Sequence, residues 1–235
     1  MDPYSLKKLN ECRRNRRAAI LVTDLADGSD RVVIEGEQVS GDLGDAVAAA
    51  FRSGKSGSIE AEGRSLFLNV HLPPPRLVII GAVHISQALA PMAKLAGFDV
   101  HIIDPRTAFA SSERFPDVRL DDEWPEVVLG GNPLDAYCAL AAVTHDPKID
   151  DFPIKAALEA NCFYVGALGS RKTHAKRVER LAASGVSSAA IDRIRAPIGL
   201  NIGAASPAEI AVAVLAEIIG ALRSRGIEPK REEVA

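Results

Sequence analysis

Cysteine is scarce in this chain: Cys12, Cys138 and Cys162 are the only three in 235 residues. They form no Cys-x-x-Cys pair and no zinc spacing, and an odd, sparse set fits a reducing compartment rather than a disulfide framework. Aromatic residues make up only 5%. No apolar run reaches the ~18 residues of a membrane span. The charged N-terminus (KK, RRNRR) is not followed by the apolar segment of a secretory signal. A formal charge of -3 offers no basic surplus to draw nucleic acid. There is also no Gly-x-Ser-x-Gly elbow, no His-Glu-x-x-His and no Walker lysine loop, so no nucleophile–base arrangement is legible. A soluble, cytoplasmic protein with no membrane span and no nucleic-acid partner is expected.

What is present is a large apolar fraction, 47%, rich in alanine and valine, enough for a full core. Residues 18–24 (AAILVTD) and 31–36 (RVVIEG) read as a hairpin turning at Asp27-Gly28. Residues 42–53 read as a helix, Gly54 and Gly57 bracket a turn, and 65–71 (SLFLNVH) return as a strand. Pro73-Pro74-Pro75 extends neither a helix nor a central strand and marks a linker. Residues 1–75 are thus expected to form a small α+β domain, and 76–225 a second domain. Residues 226–235 (GIEPKREEVA) are expected to be a flexible tail.

Beyond the linker, short apolar strands alternate with helices. Strands are expected at 77–81, 99–103, 117–120, 138–144 and 162–166, and helices at 85–96, 154–160, 171–184 and 206–224. That alternation predicts an α/β fold, a Rossmann-like parallel sheet with helices on both faces. The last helix carries a start signal in Ser206, Pro207 and Glu209.

Ligands of such sheets bind outside the carboxyl ends of the strands, and four of these ends carry unusual residues. At the first, Gly81-Ala82-Val83-His84, the glycine permits the strand-to-helix turn. A dinucleotide fingerprint would place glycines where Val83 and Ser86 stand, so close pyrophosphate approach is disfavoured there. His84, at the helix start, either donates to a phosphate or carboxylate or serves local backbone groups. At the second, Asp104 lies near the spacing of a ribose-binding acid, and Arg106 either holds a phosphate or pairs with Asp104. Glu113 and Arg114, in a polar loop beyond, read as solvated. At the third, His145-Asp146 forms an acid/base couple or polar anchor, or else a turn in which Asp146 bonds backbone N–H groups. Asp150 and Asp151 follow without further ligands and make no metal site.

The fourth end, FYVGALGSRKTH (163–174), is the richest. Gly166, Gly169, Ser170 and Arg171 open a basic helix and suit an anion such as phosphate, the plainer alternative being an ordinary capped helix. Gly199 and Gly203, in the apolar loop before the last helix, are candidates for a wall or a backbone that approaches phosphate.

These segments together resemble the XdhC/CoxI family of accessory factors for molybdenum hydroxylases. The resemblance rests on RLVIIGAVHISQALA (76–90), ERFPDV (113–118), THDPKIDD (144–151), FYVGALGSRKTHAKRVERL (163–181) and RAPIGLNIGAASPAEIAVAVLAEI (195–218). It covers most of 76–225 and makes residues 1–75 a divergent form of the family's N-terminal domain. Two departures stand out. Typical members read Gly-Ala-Gly-His where this chain has Gly-Ala-Val-His (81–84). Their N-terminal Gly-Gly-Cys-x-Glu motif has no counterpart in GEQVSGDLGDAV (36–47), and a role that needs its cysteine is not carried over.

The resemblance implies a chaperone rather than an enzyme. Its cargo would be the molybdenum cofactor, as molybdopterin alone or nucleotide-extended. It would assist sulfuration of that cofactor and its insertion into a xanthine dehydrogenase or carbon monoxide dehydrogenase apoenzyme, with a cysteine desulfurase as a further partner. An exposed alanine-rich helix face would suit a homodimer. Two alternatives stay open: an NAD(P)- or flavin-dependent oxidoreductase, disfavoured by Val83, and an interaction-only maturation protein with a vestigial site.

Overall fold

The computed structural model describes residues 1–225, so the tail expected from Gly226 onward lies outside the described residues. The chain divides into two compact units, Met1–Pro73 and Pro74–Ser224.

The first unit is a four-stranded antiparallel sheet of order β2-β1-β4-β3. Its strands are β1 (Ala19–Asp24), β2 (Asp30–Ile34), β3 (Gly57–Ala61) and β4 (Arg64–His71). Helix α1 (Pro3–Arg14) and helix α2 (Gly41–Ser53) cover opposite faces. Alternation along β1 makes this possible. Ala19 and Leu21 pack with Leu9 and Cys12 of α1, whereas Ile20 and Val22 pack with Leu43 and Val47 of α2. Two of these elements depart from the expected pattern. The charged N-terminal stretch is a helix, with Leu9 and Cys12 on its buried side. Gly57 opens strand β3 instead of closing a turn.

The second unit is a six-stranded sheet in which every pairing is parallel. Its strands are β5 (Arg76–Ile80), β6 (Asp99–Ile103), β7 (Arg119–Asp121), β8 (Cys138–Ala142), β9 (Tyr164–Ala167) and β10 (Ile194–Arg195). The order β10-β9-β8-β5-β6-β7 is that of a doubly wound Rossmann sheet, whose direction reverses between β5 and β8. The helices are α3 (His84–Leu95), α4 (Pro125–Gly131), α5 (Pro147–Glu159), α6 (Arg171–Ala183), α7 (Ser188–Ile191) and α8 (Pro207–Arg223). Leu77 and Ile79 of β5 face α3 and α8, through Leu89, Ala93, Val214 and Ile218. Val78 and Ile80 face the other layer, with Ile149, Ile154, Leu158 and Leu181. A strand buried on both faces reads as a continuous apolar run, as RLVII does.

Helix α5 begins seven residues earlier than the sequence expectation of 154, at Pro147, and carries Pro153 inside it. An internal proline removes a helix hydrogen bond and crowds the preceding turn. Here Asp146 caps the start, Pro147 takes the first position, and Ile149, Ile154, Ala157 and Leu158 are all buried. That anchoring outweighs the local cost of Pro153.

Candidate functional site

The parallel register aligns four strand ends along one edge. Ile80 lies opposite both Ile103 and Ala142, and Ala142 lies opposite Ala167. The next residues, Asp104, Gly81, Val143 and Leu168, therefore sit side by side at the carboxyl edge, and the switch point falls between Gly81 and Val143.

Gly81 has φ +118, and a Cβ there would lie 2.8 Å from Thr144 Cγ2. Both its backbone conformation and its neighbour across the switch point exclude a side chain. Ser86, at the third fingerprint position, is fully buried, and its hydroxyl donates to the Gly81 carbonyl at 2.6 Å. The serine thus closes the turn that a glycine would otherwise relax. Val83 is the N-cap of α3, in extended conformation and without a side-chain cap bond. His84 follows, exposed, at the first helical position.

Asp104 and Arg106 form a closed unit. One Asp104 oxygen accepts the Arg106 backbone N–H at 3.0 Å and its Nε at 2.8 Å. The other accepts the Ala82 N–H at 2.7 Å and Arg106 Nη2 at 2.8 Å. An ionised carboxylate offers about four acceptor sites, and all four are taken. Burial pushes the Asp104 carboxyl up, but the bonds and charge of Arg106 and the Ala82 N–H outweigh it and hold it below the ordinary range. Arg106 also lies 4.7 Å above the Phe109 ring. Arg114 binds in the same region, donating to the carbonyls of Ala82 (3.0 Å) and Phe109 (2.6 Å) and to Gln87 (3.0 Å). It clasps the loop to α3, where the sequence pointed to a solvated residue.

At the β8 end, Asp146 caps α5 by accepting the Lys148 N–H at 2.9 Å. It makes no bond to His145. His145 is exposed and held at φ +68, a left-handed conformation uncommon outside glycine. Thr144 accepts the Asp146 N–H at 3.0 Å and donates to Asp150 at 2.7 Å. Asp150 is almost wholly buried, and that burial pushes its carboxyl up to about 6. Asp151 pairs with Arg180. Neither Thr144 nor Asp150 stood out in the sequence as a site residue.

At the β9 end, Ser170 caps α6 by accepting the Thr173 N–H at 3.2 Å, and Gly169 has φ +131. Arg171 is exposed at the first helical position. Gly166 has a different occupation. A Cβ there would lie 2.5 Å from Tyr164 Oη and 2.6 Å from Ile198 Cγ1, so the absent side chain is space filled by Ile198. Gly199, at φ +92, is equally tight against α8, and an added Cβ would reach Val214 N at 3.0 Å. Glu217 of α8 ties these pieces together, accepting the Tyr164 hydroxyl at 2.6 Å and the Gly199 N–H at 2.8 Å. Burial and the bond to Glu217 push the Tyr164 phenol up. Gly203 stands at φ +72 in open space.

The edge therefore brings Gly81, Ala82, Asp104 and Arg106 into one bonded cluster. His84, His145 and Arg171 are exposed at the helix starts, and Gly166 and Gly199 serve the packing behind them. Among the described residues no group of three or more His, Cys, Asp or Glu is placed to hold a metal ion. No described helix is long and apolar enough to cross a membrane.

The family model of the XdhC Rossmann domain matches residues 77–218. The chain belongs to the XdhC family. Similar proteins include the uncharacterised YqeB of Escherichia coli (strain K12), 36% identical over 167 residues. A probable xanthine dehydrogenase subunit from Bacillus subtilis (strain 168) is 36% identical over 156 residues. The molybdenum cofactor insertion chaperone PaoD of Escherichia coli (strain K12) is 34% identical over 146 residues. These alignments cover 66%, 66% and 62% of this chain but only 29%, 45% and 40% of the relatives. The chain thus spans less than half the length of each. A crystal structure of a xanthine dehydrogenase from Bacillus halodurans shares the fold, with a TM-score of 0.63 at 24% identity, over 95% of this chain and 66% of that one.

Proposed function

We propose that the chain is a maturation factor that holds the molybdenum cofactor as cargo at the carboxyl edge of its parallel sheet. It assists the sulfuration of that cofactor and its insertion into a molybdenum hydroxylase apoenzyme of the xanthine dehydrogenase or carbon monoxide dehydrogenase type. The observation that carries this is membership of the XdhC family together with 34% identity to a molybdenum cofactor insertion chaperone. The Bacillus subtilis relative, a probable component of xanthine dehydrogenase, supports a hydroxylase as the client. A cysteine desulfurase as sulfur donor, and a homodimer, belong to the same proposal.

The geometry supports a holder of phosphate-bearing cargo better than a dehydrogenase. The start of α3 has no side-chain cap, so its free N–H groups and positive dipole end meet the edge beside the exposed His84. Arg171 and the Gly169–Ser170 turn supply a second anion contact, and His145 a polar one. A ribose would have to displace Arg106 from Asp104, whose acceptor sites are all occupied. That speaks against an NAD(P)-type pose.

The test is a deletion of the gene in a host that makes a molybdenum hydroxylase. The hydroxylase polypeptide is expected to accumulate with little activity, and re-expression of the chain to restore it. Full hydroxylase activity in the deletion strain would overturn the proposal. Restoration by a His145→Ala, Arg171→Ala variant at the wild-type level would leave an interaction-only protein with a vestigial site.

A further inference from the structure

A cationic recess of about 280 Å³ opens between the starts of α5 and α6. Its walls include His145, Lys172, Thr173, Lys176, Arg177 and Arg180. The decisive residue is Arg177. It is 2% exposed, and its Nη2 donates to the Leu168 carbonyl at 3.0 Å. Its Nε and Nη1 are buried and have no hydrogen-bond partner among the described residues. A guanidinium presents five N–H donors and no acceptor, and buried donors are almost always satisfied. Here three, one on Nε and two on Nη1, belong to a side chain that lines the recess and have no acceptor among the described residues.

The surrounding charges favour an anion. Lys172 and Lys176 are exposed at the rim, and neither forms an ion pair among the described residues. The nearby carboxylates are already engaged. Asp151 holds Arg180, Asp146 caps α5, and Asp150 accepts from Thr144 through one oxygen. The other Asp150 oxygen is buried and unpartnered among the described residues, and no ion pair joins it to Arg177. A group with acceptor oxygens can satisfy the Arg177 donors and neutralise the rim. Phosphate and phosphate monoesters have that pattern. The recess is at the small end of ligand pockets, a size for a phosphoryl group rather than a whole cofactor.

We propose that this recess is a phosphate-binding site, with Arg177 as its buried anchor and Lys172 and Lys176 as its rim. The site lies on the α5-facing side of α6, apart from the exposed Arg171. It takes a phosphoryl group, either free or at the end of a larger molecule, and does not depend on which cargo the protein carries.

The full-length chain is titrated at low ionic strength with inorganic phosphate and, separately, with glycerol 3-phosphate. Binding is read by calorimetry and by the side-chain N–H resonance of Arg177. Both ligands are expected to bind saturably at one site and to move that resonance. Tighter binding of the ester assigns the site to the end of a larger ligand, and tighter binding of phosphate assigns it to the free ion. Arg177→Met is expected to abolish binding. Because that residue is buried, a second variant, Lys172→Ala with Lys176→Ala, changes only the rim and is expected to weaken binding by about tenfold. Lys7→Ala with Arg14→Ala removes the same charge from α1 and is expected to change nothing. No saturable binding at millimolar concentrations would overturn the assignment. So would equal weakening by the α1 pair, or binding that survives both recess variants.

Discussion

Gly166→Ala separates a packing role for this glycine from a ligand-approach role. The glycine lies in β9, where an added Cβ meets Tyr164 Oη at 2.5 Å and Ile198 Cγ1 and Cδ1 at 2.6 and 2.7 Å. Comfortable heavy-atom contacts lie at about 3.5–4.0 Å, so the neighbours must retreat by about 1 Å. Neither is free to do so. Ile198 is buried, and the Tyr164 hydroxyl is tied to Glu217, which also holds the Gly199 N–H. Overpacking of this kind costs about 1–3 kcal/mol. For a unit of this size that lowers the Tm by about 2–12 °C. Trp124, the single tryptophan, lies in the same unit and reports its urea unfolding. The midpoint is expected to fall with an unchanged slope. Ile198→Ala, which removes both clashing aliphatic atoms, is expected to cost less in the Gly166→Ala background than alone, with a coupling of about 1 kcal/mol or more. An unchanged midpoint in Gly166→Ala, with lost activity in hydroxylase maturation, would refute the packing role and return this glycine to the ligand.

Two further perturbations test the strand-end network. Asp150 titrates at about 6 in the folded chain, above its ordinary 3.8, so the folded state holds this proton more tightly than the unfolded state does. Its burial therefore costs stability as pH rises through the window from 3.8 to about 6, by up to about 3 kcal/mol once it is fully ionised. Asp150→Asn is expected to gain stability relative to wild type at pH 7.5 but not at pH 3.5, measured by urea unfolding, and a pH-independent difference would contradict the assignment. Tyr164→Phe removes the donor to Glu217 and is expected to cost about 1.5–3 kcal/mol. It should also speed hydrogen exchange at the Gly199 amide, and unaltered exchange there would show that Glu217 holds the loop without the tyrosine.

The alternation of apolar strands and helices after Pro73-Pro74-Pro75 was legible because a parallel sheet buried on both faces writes itself as short apolar runs. Segments that bury little were not. The α1 stripe is only Ser5, Leu9 and Cys12, lost among charges, and β3 alternates half-exposed residues at the sheet edge. Pro153 concealed the first half of α5, because its cost is offset only by tertiary burial.

At the site, sequence position led to the strand ends but not to the bonds between them. The pairing of Arg106 with Asp104 was one of two readings and is the one found in the fold. That Gly166 yields its space to Ile198, some thirty residues later, has no local signal. Arg177 had one: a charged residue in the stripe of His174, Val178 and Leu181, at helical spacing. A buried arginine at such a position calls for an acceptor, and that signal is open to any reading of the sequence alone.

Whether the carboxyl edge of this sheet carries the molybdenum cofactor is tested most directly by pterin content. The chain is purified from cells that make the cofactor, and bound pterin is oxidised, released and quantified by its fluorescence against protein. Stoichiometric pterin is expected in the wild-type chain, and a large loss in a folded His145→Ala, Arg171→Ala variant. Pterin no higher than in an unrelated protein purified from the same cells would contradict a cargo site at this edge.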